Sequence, residues 1–305
     1  MSLYALLKRP GPSGFGYGST ALDVAQQLDL SGRTVLVTGC NSGLGAETMR
    51  VLIQRGARVL GTARTQEKAR QACSPFGEQA VPFACELAEP ESVHACVEQI
   101  RALSTPLHAI VANAGIMALP QLKQAYGYEL QFFTNHIGHF ILVTELLPQL
   151  AADGRVIMLS SEAHRGAPKE GIQFDNLSGE RGYSPWVAYG QSKLANLLFA
   201  KELARRLPSS QQTANAVHPG VIQTNLFRNM PRAATFAANL VAPLFMKTVP
   251  QGAATQTFAA VHPEAGRVSG EYLVDCNVGR PHRLAEDQAL AAELWRLSED
   301  IVAKL

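Results

Sequence analysis

Six short runs rich in Val, Ile and Leu, at 33–38, 57–63, 79–84, 107–112, 155–160 and 213–218, alternate with longer helix-like stretches. Such runs, without clean alternation of apolar and polar positions, suit strands covered on both faces. The stretches between them are expected to turn helical near Gly43, Thr65, Pro90, Leu122, Trp186 and Gln251. Pro90 fits a first helical turn, where its missing N–H costs nothing. A seventh strand is expected at 271–275. Strand–helix–strand alternation of this kind calls for a parallel sheet, wound right-handed, with helices on both faces. The expected fold is α/β, a doubly wound parallel sheet of about seven strands. Residues 1–30 read as an N-terminal arm and 31–305 as one catalytic domain. Two irregular excursions, 162–185 and 222–250, follow strand ends on the edge where open α/β sheets bind ligands.

The 305 residues are 47% hydrophobic, ample for one large core. A net charge of +2 offers no basic stripe for nucleic acid. Cys40, Cys73, Cys85, Cys96 and Cys276 are odd in number and scattered without a CxxC. They read as reduced, packed thiols, with no metal site and no disulfide frame, and place the chain in the cytoplasm. No apolar run reaches the roughly 18 residues a membrane span requires. The N-terminus is interrupted too soon, at Lys8-Arg9-Pro10, for a signal peptide.

The first apolar run leads into a glycine-rich turn, Gly39, Asn41, Ser42, Gly43, Leu44 and Gly45, and then into a helix. Glycines there allow a tight turn, close backbone approach to a pyrophosphate, and close helix–strand packing. That makes the fold Rossmann-type and the ligand a dinucleotide. The second run ends at Arg64. An acidic residue at that tip would hold a ribose 2′-hydroxyl, whereas arginine suits a 2′-phosphate, so the cofactor expected is NADP(H).

The chemistry converges on four side chains. Tyr189 and Lys193 stand four residues apart at the start of a long helix, on one face. An ammonium beside a phenol favours the phenolate, which predicts a phenol pKa lowered from about 10 toward neutrality. Ser161, just past the fifth strand, supplies a donor to polarise a carbonyl; Tyr189 supplies the proton; Lys193 with Asn135 holds a relay to water. Ser160 competes with Ser161, yet neighbours on an extended strand end point opposite ways. His139, His164 and His218 read as structural hydrogen bonders and are assigned no chemical role.

The chain resembles the short-chain dehydrogenase/reductase family over nearly its whole length. The matches are Thr38-Gly39 through Gly43-Leu44-Gly45, Asn113-Ala114-Gly115, Asn135, Ser161, Tyr189 with Lys193, and Pro219-Gly220 with Thr224. The resemblance implies a pyrophosphate turn, adenine-side support, an active-site asparagine, a substrate-orienting serine, a catalytic tyrosine with its lysine, and a threonine on the nicotinamide carboxamide. Asn-His-Ile-Gly-His-Phe, Leu-Ser-Ser-Glu-Ala-His, Tyr-Gly-Gln-Ser-Lys-Leu-Ala-Asn and Gly270-Glu-Tyr-Leu-Val-Asp-Cys narrow it to the retinol dehydrogenase and WW-domain oxidoreductase branch. One departure is Glu86-Leu87 where the family commonly has aspartate-leucine; the Leu87 amide is the substitute for adenine recognition.

Substrate choice is expected to rest on a lid over about 222–250 carrying Leu226, Phe227, Met230, Phe236, Leu240, Leu244, Phe245 and Met246. An apolar pocket with few polar anchors suits a lipophilic carbonyl or alcohol. The leading expectation is an NADP(H)-dependent oxidoreductase. A non-catalytic NADP(H) sensor or scaffold, and an epimerase or dehydratase, stay open beside it, as do a homodimer and a peripheral membrane contact.

Overall fold

The computed structural model describes residues 8–208, 211–222 and 246–305. Thr224 and the expected lid residues from Leu226 to Phe245 lie outside them; of that apolar set only Met246 is described.

The strands in chain order are β1 Thr34–Thr38, β2 Arg58–Ala63, β3 Ala80–Ala84, β4 Leu107–Ala112, β5 Gln124–Ala125, β6 Tyr128–Glu129, β7 Leu150–Leu159, β8 Thr213–His218, β9 Tyr272–Val274 and β10 Asn277–Val278. Eight of them form one sheet in the order β10-β9-β8-β7-β4-β1-β2-β3. It is parallel throughout except for β10, which returns antiparallel to β9. The main helices are α1 Ala21–Ala25, α2 Gly43–Gln54, α3 Gln66–Cys73, α4 Pro90–Ala102, α5 Gly138–Leu146, α6 Pro185–Arg206, α7 Ala254–Val261 and α8 Gln288–Val302.

Two cores follow from the period-two geometry of a strand. Leu36 and Ile110 point to one face, where they join Phe132, Phe140, Leu194, Phe199 and Trp295. Val35, Val37 and Val111 point to the other, against Met49, Leu52 and Ala259. Both faces are therefore dry, which is why these strands lack apolar–polar alternation. Strand order reverses direction between β1 and β4. A crevice opens beyond the C-terminal ends of those strands, at the switch point where doubly wound sheets take ligands.

The structure departs from expectation in the short elements. The helix expected near Leu122 begins at Leu130 instead, where the Glu129 carboxylate accepts from Phe132 N–H at 2.8 Å. Residues 124–129 form the β5–β6 hairpin, its turn carrying Tyr126 and Gly127 at φ of 52° and 82°. Paired positive φ values suit a two-residue hairpin turn, for which glycine is the usual signal. β7 starts at Leu150, ahead of the expected 155, with a register shift against β4.

The N-terminal arm is clasped to the far edge of the sheet. Asn277 accepts from Ser13 N–H and donates to Phe15 O, each at 3.0 Å, and the Phe15 ring stands edge-on to Phe258. Ile222 and Lys247 pair in a parallel bridge, with Lys247 N–H donating to Val221 O at 2.8 Å. Among the described residues no helix is long and apolar enough to cross a membrane, and no cluster of His, Cys, Asp and Glu is arranged to hold a metal.

Candidate active site

The switch-point crevice has a volume of about 580 Å³ and is lined by Gly39, Asn41, Ser42, Gly43, Leu44, Arg64, Glu86, Leu87, Asn113, Ala114 and Gly115. It brings together the expected nucleotide-end residues except Gly45, which is not part of its lining. Gly39 and Gly43 adopt φ of 69° and 56°, a region that favours glycine. Gly45 is required for a different reason: a Cβ there would lie 2.3 Å from Gly39 O and 2.6 Å from Asn113 Nδ2. Asn113 staples the two central strands by donating to Thr38 O at 2.7 Å, while Ala114 N–H donates to Thr38 Oγ1 at 2.9 Å. Arg64 is exposed at the tip of β2, and Glu86 Oε1 accepts from Ala88 N–H at 3.4 Å. Two neighbouring threonines are less free than expected: Thr62 is buried, and Thr65 caps α3 by accepting from Lys68 N–H.

A second cavity of about 410 Å³ shares Leu44, Asn113, Gly115, Ile116 and Leu159 with the crevice, so the two adjoin. Ser161, Tyr189, Lys193, Pro219 and Gly220 line it, with Met117, Trp186, Val221 and Ile222 as apolar wall. Ser161 caps the short turn Glu162–Gly166, its Oγ accepting from Ala163 N–H at 3.2 Å. That leaves the hydroxyl proton to be donated, and the Ser161 hydroxyl acts on the Tyr189 phenol to favour its ionised form. Ser160 turns away, as strand geometry requires, and donates to Lys193 O at 2.7 Å.

Lys193 is buried, its Nζ 3.0 Å from Leu159 O and 5.6 Å from the centre of the Tyr189 ring. Burial lowers its amine to about 8. Burial likewise raises the Tyr189 phenol to about 12, only partly offset by the hydrogen bond from Ser161. The expected fall of the phenol pKa is therefore not found in the protein alone. Desolvation outweighs the neighbouring charge, because both groups sit where ions are poorly solvated.

Asn135 occupies a π-helical turn, Phe133–Ile137, a distortion frequent at functional sites. Its amide is fully engaged: Oδ1 accepts from Ile116 N–H, and Nδ2 donates to Ile116 O and Ser192 Oγ, all at 2.9 Å. With both donors of its amide committed, the side chain ties the loop after β4 to α6. Asn135 O takes a hydrogen bond from His139 Nδ1, whose Nε2 meets Thr38 Oγ1 at 3.0 Å.

Three contributors escaped sequence reasoning. Ser192 links Asn135 to α6 and donates to Tyr189 O at 2.8 Å. Gly190 lets the serine turn rest on α6, since a Cβ would lie 2.7 Å from Ala163 O. Lys247, buried, pairs with Asp275 at 2.6 Å beneath Gly220, whose φ is 92°. The Tyr-Gly and Pro-Gly dipeptides were visible signals of close approach; nothing in the sequence marked Lys247.

The short chain dehydrogenase family model matches residues 33–234. Among curated proteins, the chain is 40% identical to short-chain dehydrogenase TIC 32 B, chloroplastic, of Brassica napus, with 100% of each covered. It is 37% identical to human retinol dehydrogenase 14, covering 90% of this chain and 88% of that protein. Identity to the WW domain-containing oxidoreductase of Pongo abelii is 37%, over 93% of this chain and 71% of that protein. Of solved structures, a putative uncharacterized protein from Mycobacterium Paratuberculosis superposes with TM-score 0.75 at 34% identity, over 92% of this chain and 97% of that one. A blue fluorescent protein from a metagenomic library, solved with NADPH, superposes with TM-score 0.65 at 25% identity, over 81% and 97%. The chain belongs to the short-chain dehydrogenase family, in its retinol dehydrogenase-like branch.

Proposed function

We propose that this protein is an NADP(H)-dependent oxidoreductase that moves a hydride between the nicotinamide and a lipophilic carbonyl or alcohol, with Tyr189 as acid/base. The observation that carries the reading is the Ser161–Tyr189 pair, set in a cavity that opens into the glycine-lined crevice. The crevice fits a dinucleotide. Gly39, Gly43 and Gly45 keep side chains out of the phosphate turn, and Asn41, Ser42 and Leu44 line it. Arg64, exposed on the lining of the crevice, supports a 2′-phosphate partner, as does the metagenomic relative solved with NADPH. Glu86, Leu87, Asn113, Ala114 and Gly115 would border the adenosine half, with Pro219 and Gly220 at the nicotinamide half; Thr224 joins them on its motif alone.

When bound, the dihydronicotinamide supplies the hydride. Ser161 donates to the carbonyl oxygen and Tyr189 gives the proton that makes the alkoxide an alcohol. A phenol held near 12 keeps its proton at neutral pH, which suits reduction. Lys193 and Asn135 hold the strand end and the loop that face the phenol. Ile116, Met117, Trp186 and Ile222 favour an apolar substrate. Cytoplasmic placement belongs to the same proposal, supported by five free, buried cysteines.

The test is a panel of lipophilic aldehydes, ketones and alcohols with NADPH or NADP⁺, followed by cofactor absorbance. Tyr189→Phe is expected to lower turnover by about 10²–10⁴-fold while NADPH still binds. Undiminished turnover in that variant would remove the tyrosine from the chemistry.

A further inference from the structure

We infer that His164 is a positioning residue for Ser161: a neutral imidazole of fixed tautomer that ties the serine's backbone to the C-terminal loop at His282. The inference rests on the reading of Ser161 as the carbonyl-polarising donor. His164 is fully buried, directly behind the serine. Its Nδ1 lies 2.6 Å from Ser161 O, and its Nε2 accepts from the backbone N–H of His282 at 2.9 Å. A backbone N–H can only donate, so Nε2 carries no proton and Nδ1 does. Both ring nitrogens are thereby spent, and the ring is packed edge-on against Tyr272 at 5.0 Å.

Ser161 is gripped by its own turn. Its carbonyl takes His164 N–H at 3.0 Å as well as the ring Nδ1–H, and its Oγ takes Ala163 N–H. The hydroxyl proton is the one part of the residue left to reach the cavity. Ala163 and the main-chain amide of His164 hold the turn locally; Glu162 is tied to His218 and Tyr272 and Arg165 to Arg280 O, whereas the imidazole is the bond that runs from the Ser161 carbonyl itself to the C-terminal loop. Loss of the ring should leave the serine present but loosely aimed, and about 1 Å of misplacement is enough to cost roughly 100-fold in rate.

Protonating Nε2 would set two N–H groups facing one another across 2.9 Å. Burial opposes that, lowering the pKa of His164, while Glu162 raises it and Arg165 and His282 lower it. Tyr272, from β9, hydrogen-bonds Glu162, His218, from β8, accepts from Glu162 N–H, and Tyr189 and Lys193, from α6, share the cavity wall with the turn.

Two substitutions separate the contacts. Asn in place of His164 keeps a donor near Ser161 O and loses the acceptor for His282; Gln keeps a distal acceptor and loses the near donor. With NADPH and the best aldehyde of the panel, His164→Asn, His164→Gln and His164→Ala should each lose about 10- to 100-fold in kcat, since each breaks one end of the tie or both, with the Kd for NADPH unchanged. In a Ser161→Ala background, the same His164 changes should cost less than about twofold, because neighbours acting through one group are non-additive. Losses that persist in full without the Ser161 hydroxyl, or an Asn or Gln variant with wild-type kcat, would overturn the assignment. If no carbonyl is reduced by the wild-type protein, the failure lies with the proposed activity. The imidazole is then judged by ¹⁵N spectra of histidine-labelled protein, with the signal assigned by its loss in His164→Gln. A neutral Nδ1–H form at pH 7 supports the assignment; an Nε2–H or doubly protonated ring refutes it.

Discussion

Lys193 carries its charge into surroundings that resist it. Its amine is lowered to about 8, while the adjacent phenol is raised to about 12. At neutral pH the protein alone thus holds a protonated phenol beside an amine that is still mostly charged. Carbonyl reduction draws on the protonated phenol and alcohol oxidation on the phenolate, so oxidation should keep rising with pH through the range in which reduction holds level or falls. Superimposable pH profiles for the two directions would discard Tyr189 as the acid/base. Arg64→Asp should lower the NADPH-to-NADH ratio of kcat/KM by about tenfold or more, since a hydrogen bond to a charged group contributes about 1.5–3 kcal/mol. An unmoved ratio would free Arg64 from the 2′-phosphate. The pairing of Tyr189 with Lys193 was legible because a helix fixes what lies one turn on. The direction of the phenol shift was not. It depends on burial by the strand end and the serine turn, which are remote in sequence. The hydrogen bonds that join Asn135 to Ile116 and Ser192 emerged only in three dimensions.

Gly190 sets how closely the serine turn and the tyrosine helix α6 approach. A methyl group there would meet Ala163 O at 2.7 Å and Ala167 N at 2.9 Å, both backbone atoms with little freedom to yield. Gly190→Ala should therefore destabilise by about 1–3 kcal/mol and push Ser161 away from Tyr189. The expected signature is a fall in kcat larger than any change in NADPH affinity, measured by steady-state kinetics and cofactor titration. Equal wild-type kcat would show that the two elements tolerate separation. Among regular elements, the strands buried on both faces and the helices packed on them were legible from their apolar runs. The β5–β6 hairpin was not, because strands of two residues present no period, and the apolar positions after Leu122 mimic a helical stripe. Gly127 was the available warning. The π turn at Asn135 has no sequence signature that periodicity detects.

A parallel sheet with helices on both faces was legible from strand–helix alternation, whereas the strand order emerged only in the structure. Acid sensitivity was not legible either, since histidine burial is decided by the packing of several elements. Burial lowers His136 to about 3 and both His139 and His218 to about 4, from an ordinary 6.5. Between pH 6.5 and 4 the unfolded chain binds protons at these sites that the folded chain refuses, so stability rises with pH across that window and is level above it. Each should withdraw on the order of 3 kcal/mol by pH 4. A urea midpoint that stays constant from pH 7 to pH 5 would contradict the neutral, buried state of these rings. One joint has a broader implication. Ile222 and Lys247 meet in a bridge, and Lys247 is locked by Asp275. The joint knots three stretches of chain together: the one after β8, the one before α7 and the turn after β9. Cutting it with Lys247→Met, which strands Asp275 without its partner, should lower Tm by several degrees; an unchanged Tm would show that the knot carries no strength.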